Sequence, residues 1–349
     1  MGEEVKISKS LQNKLSALND KYNKKGDDDN VAFLTSGSII LDAVVSNGKG
    51  LPLGKMIEIH SEAGIGKSTL ILQACLQACR KGKVCIYLDV EDGANDDQLD
   101  SIGLLEYKDT LFFVFPVSTY RDVEEVLAEF DGEDICYIVL DSITSLMPDE
   151  LLTKSVADIL PGLKARYDSL FLQKCTAYLK RNVCSIVLIN QMRTTLNFMG
   201  RSSSKAAGGK ALEFYPDVRI ELKKISDLTK KAKTIEGVTE IKYGSEVSIK
   251  CLKNRFNNPF IEGVLSIVFG KGASNLSAYT RWLQNNDCIK RSGAWYTITV
   301  GELEGKVCGA NGILGWVKDN LQEVNTYIMN NGGFILLEVD EDGGDANGQ

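Results

Sequence analysis

The chain has 349 residues, 44% of them apolar and 25% charged, with six prolines and no low-complexity tract, a composition that excludes a largely disordered protein. No apolar run approaches the ~18 residues of a membrane-spanning helix, so no membrane partner is expected. The net charge of −7 disfavours a protein that coats nucleic acid with its whole surface, so any such role must rest on local basic patches. Residues 5–22 place Leu11, Leu15, Leu18 and Tyr22 at helical spacing before a polar break at 24–30. This reads as an N-terminal helix and linker, 1–32, either a packed extension or an arm that docks on a neighbouring subunit. The opening lysines lack an apolar h-region and Lys6 stands where an acylation motif needs Ser or Thr, so neither a secretory leader nor a lipid anchor is expected. The nine cysteines form no C-x-x-C pair; a reducing, cytoplasmic setting without disulfides or zinc is expected.

From 33 to 270 the pattern alternates. Apolar runs of strand length lie at 56–60, 84–88, 112–117, 135–141 and 184–189, separated by helical stretches at 68–80, 96–102, 121–130 and 163–181. In the last stretch Leu163, Tyr167, Leu170, Phe171 and Lys174 share a helical spacing and are expected to face mostly the core. Strands alternating with helices predict an α/β fold with a mainly parallel central sheet. Further strands are expected at 218–222, 246–252 and 264–269, joined partly by hairpins. After Gly270 the texture changes to short helices and a turn at 293–296, read as a small α+β C-terminal domain, 271–332, followed by an acidic tail, 333–349.

Ser61-Glu62-Ala63-Gly64-Ile65-Gly66-Lys67-Ser68-Thr69 follows the strand at 56–60 and opens a helix. Backbone N–H groups and a helix N-terminus suit an anion, and Gly66 stands where backbone must approach phosphate closely. Lys67 can reach β- and γ-phosphates, and the Ser68 hydroxyl can ligate Mg²⁺. This is a P-loop in its required context, departing from the pattern only where Ser61 replaces the first glycine. Asp141 ends an apolar strand, either as a Walker B carboxylate beside Mg²⁺ or as the start of a turn. Glu91 lies beyond the strand at 84–88, on the edge where open α/β sheets bind ligands; it is a general base or a solvated loop acid. Gln191 follows the strand at 184–189 and either meets the γ-phosphate or caps a turn. His60, the sole histidine, is read as structural, which excludes His-dependent nucleophilic catalysis.

Together with an ordered series along the chain, these residues resemble the bacterial RecA recombinases and their phage-encoded relatives. The series comprises Thr35-Ser36-Gly37-Ser38 with Leu41-Asp42, Gly50-Leu51-Pro52-Leu53-Gly54-Lys55 ahead of the P-loop, Leu140-Asp141-Ser142 and Ile189-Asn190-Gln191-Met192-Arg193. It continues with Gly208-Gly209-Lys210-Ala211-Leu212, Phe214-Tyr215, Lys253-Asn254-Arg255, Pro259-Phe260 and Gly293-Ala294-Trp295-Tyr296. The resemblance implies a RecA-like ATPase core that takes ATP and Mg²⁺, with Glu91 as catalytic glutamate and Gln191 as γ-phosphate sensor. It also implies a homo-oligomeric helical filament, in which Lys253 and Arg255 reach ATP bound by the adjacent subunit and Phe214 lies at the interface. Gln98 stands where many members carry a tyrosine stacked on adenine, which bears on nucleotide selectivity.

Between Met192 and Leu212 there is no acidic residue, while Arg193, Arg201, Lys205 and Lys210 are basic, and no strand or helix period is evident. A solvated loop is one reading; the resemblance favours the family's second DNA loop, with Leu196 and Phe198 able to wedge between bases and Gly208-Gly209 at its end. Residues 154–164 resemble the first DNA loop, with Arg166 just after it. Lys223, Lys224 and Lys250 match positions that bind the incoming DNA, whereas Lys230, Lys231 and Lys233 sit in an unusually long hairpin and serve DNA or solubility. The acidic tail would compete with DNA for these patches. The expected function is a DNA-dependent ATPase and recombinase that forms a filament on single-stranded DNA and pairs it with double-stranded DNA in recombination and repair, with loader or single-strand-binding proteins as further partners. The alternatives are a filament-capping recombination mediator and a hexameric helicase with the same core.

Overall fold

A computed structural model describes residue 14 and residues 31–152, 162–196, 202–206, 211–234 and 237–333. The expected N-terminal arm, the tip of the first DNA loop, Phe198, Arg201, Gly208, Gly209 and the acidic tail lie outside the described residues. In chain order the elements begin with β1 (Phe33–Leu34), α1 (Ile39–Ser46), β2 (Leu51–Pro52), β3 (Met56–Ser61) and α2 (Lys67–Arg80). There follow β4 (Val84–Asp89), α3 (Asp96–Ile102), β5 (Phe112–Pro116), α4 (Tyr120–Glu129), β6 (Ile135–Asp141) and α5 (Leu163–Leu179). Next come β7 (Ser185–Leu196), β8 (Ser202–Ala206), α6 (Ala211–Phe214), β9 (Val218–Thr234), β10 (Gly237–Asn254), β11 (Glu262–Val268) and β12 (Gly272–Ala273). The C-terminal part holds α7 (Asn275–Asn285), β13 (Ile289–Ser292), β14 (Trp295–Val300), β15 (Leu303–Cys308), α8 (Gly309–Asp319) and α9 (Leu321–Asn330).

The main sheet runs β12-β11-β10-β9-β3-β7-β6-β4-β5, with β8 added to β7. Pairing is parallel from β5 through β9 and antiparallel from β9 to β12. Successive strand residues point to opposite faces, and both faces are covered. Ile57, Ile59, Cys85, Tyr87, Tyr137, Val139, Val187 and Ile189 join a cluster with α1 and α2. Met56, Ile86, Leu88, Ile138, Leu140, Ile186 and Leu188 join a second cluster with α4 and α5. Double-sided burial explains why these strands read as unbroken apolar runs. Helix starts follow local chemistry: Ser38, Asn95 and Ser274 cap α1, α3 and α7, and Thr119 with Asp122 makes a reciprocal capping box on α4.

Two expectations need correction. On α5 the buried residues are Asp168, Phe171, Leu172, Cys175, Tyr178 and Leu179, while Leu170 and Lys174 are exposed and Leu163 and Tyr167 half-buried. The core-facing stripe is thus rotated from the one expected, because Leu172, Cys175 and Leu179 complete it toward β6 and β7. The region after Gln191 also has regular structure: β7 continues to Leu196 and pairs antiparallel with β8, Met192 opposite Ala206 and Leu196 opposite Ser202. Backbone pairing, without an apolar period, makes this hairpin, whereas the base of the long β9–β10 hairpin buries an alternating set, Val218, Ile220 and Leu222 with Val247, Ile249 and Cys251. In the C-terminal part, Ser292 pairs with Trp295, so Gly293-Ala294 is the two-residue turn of a hairpin within a three-stranded meander. Trp282, Leu283, Ile298, Ile313, Val317, Val324 and Ile328 pack there in continuity with the main core.

Candidate active site

Strand register assembles the site. Asp89 lies opposite Asp141 across β4 and β6, and Ser61 lies opposite Gln191 across β3 and β7, all at the carboxyl edge of the parallel sheet. Between β3 and α2 the chain turns through Gly66, at φ 108°. A Cβ on Gly66 would sit 2.8 Å from Ile267 Cδ1, so β11 as well as backbone conformation requires glycine there. No side chain caps α2, which leaves its first N–H groups for an anion. Buried Lys67 donates from Nζ to Ser61 Oγ at 3.0 Å and to the Glu62 carbonyl at 2.9 Å. Burial pushes its pKa below the ordinary ammonium value, with Asp141 and Glu91 opposing. Ser61, the departure from the glycine pattern, therefore holds the P-loop lysine.

The Asp141 carboxylate accepts two hydroxyls on the same oxygen: Ser68 Oγ and Tyr87 Oη, each 2.5 Å from Oδ2. Burial raises the pKa of Asp141, and these two bonds oppose the rise. Among the described residues no cluster of three or more His, Cys, Asp or Glu side chains could hold a metal alone. A cation at Ser68 and Asp141 would therefore complete its shell with phosphate and water oxygens, the preference of Mg²⁺.

Asp89 shapes the loop that carries Glu91, accepting backbone N–H groups from Glu91 (3.2 Å), Gly93 (3.2 Å) and Ala94 (2.9 Å). The Glu91 carboxylate then receives Ser142 Oγ at 2.5 Å, Ser145 Oγ at 2.9 Å and Gln191 Nε2 at 2.8 Å. Gln191 is further placed by its backbone N–H on Thr144 Oγ1 at 3.1 Å. Glu91, Gln191, Lys67, Ser68 and Asp141 are thus gathered on one edge as the sequence predicts. Sequence reasoning missed Tyr87, Asp89, Ser142 and Ser145; the signals were a lone phenol in an aliphatic strand and two serines three residues apart just beyond Asp141.

This chain matches the RecA N-terminal domain family model over residues 9–274. It is 30% identical to the RecA protein of Acinetobacter baumannii over 324 residues, covering 90% of this chain and 88% of that one. It is also 30% identical to RecA of Bartonella bacilliformis over 320 residues, covering 91% and 88%, and 29% identical to RecA of Bartonella henselae over a stretch of the same length. The chain belongs to the RecA family. Its activity is that family's DNA-dependent ATP hydrolysis in recombination and repair.

The cations that the RecA resemblance sends toward a neighbouring subunit are held within the protomer. Lys253 Nζ donates to the Phe214 carbonyl at 2.5 Å, and Arg255 Nη1 to Asp217 Oδ1 at 2.7 Å. Burial and then Arg255 lower the pKa of Lys253. Asp217, also unforeseen, is nearly buried and uses its other oxygen on the Met56 N–H at the start of β3, 2.9 Å away. Phe214 is 66% exposed.

The RecA DNA candidates divide. Arg166 is exposed at the start of α5, whereas Lys164 is turned inward onto Tyr120 Oη (2.7 Å), the Ile143 carbonyl and Asp168. Arg193, Leu196 and Lys205 lie on the β7–β8 ladder, Arg193 opposite Lys205. On β9 and β10, Lys223 pairs with Glu221 at 2.6 Å, Lys224 and Lys242 share Asp227 at 2.7 Å each, and Lys250 pairs with Glu262. Each lysine expected to meet incoming DNA therefore already has a carboxylate partner.

Proposed function

We propose that this RecA-family chain forms a filament on single-stranded DNA, hydrolyses ATP between protomers, and pairs and exchanges homologous strands with a duplex. The observation that carries this reading is the direct contact between Glu91, in the loop after β4, and Gln191, within β7, beside the Lys67, Ser68 and Asp141 cradle. Lys67 leaves Ser61 for the phosphates, and the N–H groups of residues 63–69 hold their oxygens. Ser68 and Asp141 fit Mg²⁺, which when bound supplies charge neutralisation at the phosphates. Glu91, held by Ser142 and Ser145, takes the proton of the attacking water. Lys253 and Arg255 exchange their internal partners for the charge on a neighbour's nucleotide, which stabilises hydrolysis and the interface together.

Coupling to DNA follows from chain continuity. Gln191 sits inside β7, which runs on into the β7–β8 hairpin carrying Arg193, Leu196 and Lys205. Exchange of Gln191 between Glu91 and the γ-phosphate would move the start of that hairpin, so nucleotide state sets the grip on the first strand. Lys223, Lys224 and Lys250 serve the second DNA once phosphates compete with Glu221, Asp227 and Glu262, and this contact weakens as salt rises. The division into a 33–270 core and a 271–332 accessory domain, and a cytoplasmic location, belong to the same reading. The test is joint-molecule formation from a labelled single strand and homologous supercoiled duplex with ATP and Mg²⁺. Homology-dependent product that disappears in Lys67→Ala is expected; ATP turnover stimulated by single-stranded DNA without any product would overturn strand exchange.

A further inference from the structure

The phenol of Tyr87 reaches the same carboxylate as the P-loop serine. It lies on β4, 2% exposed, with Val139 and Val114 beside it in the sheet and Phe112 nearby, an environment an aliphatic side chain would fill as well. Its hydroxyl donates to Asp141 Oδ2 at 2.5 Å, shares that oxygen with Ser68 and also interacts with the Ser68 side chain. Ser68 approaches from the P-loop side and Tyr87 from within the sheet. The two donors together fix the rotation of the carboxylate about its Cβ–Cγ bond.

We propose that Tyr87 is a positioning residue for the divalent cation of this site. Together with Ser68 it would keep Asp141 aimed at the cation. This rests on the reading of Ser68 and Asp141 as the cation's protein partners. A cation held by Ser68 would use an oxygen lone pair and leave the hydroxyl hydrogen on Asp141, so Ser68 would hold the carboxylate from the P-loop side and Tyr87 from within the sheet. Without the Tyr87 donor the carboxylate would be free to turn about the Ser68 contact, and a buried carboxylate would be left short of hydrogen bonds. Outer-sphere partners of this kind typically change metal affinity by about 10–100-fold when removed. The effect is specific to the cation, since the Tyr87 hydroxyl acts on Asp141 and on the Ser68 side chain, the two groups read as the cation's protein partners.

Equilibrium binding of a fluorescent ATP analogue tests this, titrated with Mg²⁺ from an EDTA-treated baseline, in wild type, Tyr87→Phe, Ser68→Ala and the double variant. Tyr87→Phe removes one oxygen and keeps the ring. The expected result is metal-free affinity within about twofold of wild type, with the Mg²⁺ concentration for half-maximal tightening raised about tenfold or more. The Tyr87→Phe and Ser68→Ala shifts should also be non-additive, because both act through one carboxylate. Wild-type Mg²⁺ dependence in Tyr87→Phe, equal weakening with and without Mg²⁺, or strict additivity would each overturn the proposal and reduce Tyr87 to packing. If Ser68→Ala itself leaves the Mg²⁺ dependence untouched, the underlying site assignment fails instead. Should Tyr87→Phe fold poorly, Tyr87→Trp with Val139→Ala keeps a ring N–H in the strand, and wild-type Mg²⁺ dependence there with loss in Tyr87→Leu supports the same donor role, whereas identical behaviour of the two overturns it.

Discussion

Glu91 receives hydroxyls from Ser142 and Ser145 and the amide of Gln191, an arrangement that holds a carboxylate without burying it. Glu91→Gln should keep nucleotide affinity and lower turnover by about 10²–10⁴-fold, the usual worth of a general base; equilibrium binding beside steady-state hydrolysis checks both halves. Gln191→Ala should retain nucleotide binding while the stimulation of turnover by single-stranded DNA disappears. His60 presents a different chemistry. It is buried between Glu58 and Glu221, with Arg219 and Lys223 also in range, and burial dominates and lowers its pKa below the ordinary value of 6.5. A depressed folded pKa means the unfolded chain binds more protons, so this contribution is complete above pH 6.5 and is lost as pH falls below it. The stability difference between wild type and His60→Gln should therefore shrink on acidification below that value, as urea midpoints at several pH values would show. Lys67 and Ser68 were legible in the sequence because a strand, a glycine turn and a helix surround them within a short stretch, and Asp141 because it ends an apolar strand. Tyr87 and Asp217 were not, because each meets its partner only through strand register or a contact between distant segments.

At the scale of elements, the parallel strands were legible because burial on both faces leaves apolar runs with sharp ends. Helix α5 shows the limit of such reading. Its spacing admits neighbouring stripes, and the sheet selects the one through Phe171, Leu172, Cys175 and Leu179. Phe171→Ala should cost about 3–5 kcal/mol of stability, and Leu170→Ala, on the exposed side, within about 0.5 kcal/mol; chemical denaturation of the two distinguishes the faces. The β7–β8 hairpin escaped notice for the opposite reason: cross-strand backbone pairing holds it, and its sequence carries little hydrophobic period to read. The β9–β10 hairpin was legible, its unusual length included.

At the scale of the whole molecule, the proposed filament gives Lys253 and Arg255 a link between the fold of one protomer and its assembly. Their partners within the protomer are the Phe214 carbonyl and Asp217, which the proposed role would require them to release. Arg255→Ala should leave nucleotide binding by the free protomer intact and suppress cooperative ATP turnover and filament growth on single-stranded DNA, followed by light scattering and electron microscopy. The family assignment was legible because its motifs are spread in order along most of the chain, whereas the internal pairing of these cations could be seen only in three dimensions. Strand β7 holds one more consequence. A strand that slips by a single residue presents every side chain to the wrong face, so β7 behaves as a stiff rod with few permitted settings. A rod of that kind transmits a step and filters out a gradient. Release of DNA by a single filament should accordingly occur in discrete jumps as ATP is depleted, and smooth loosening, followed molecule by molecule, would point to a softer linkage.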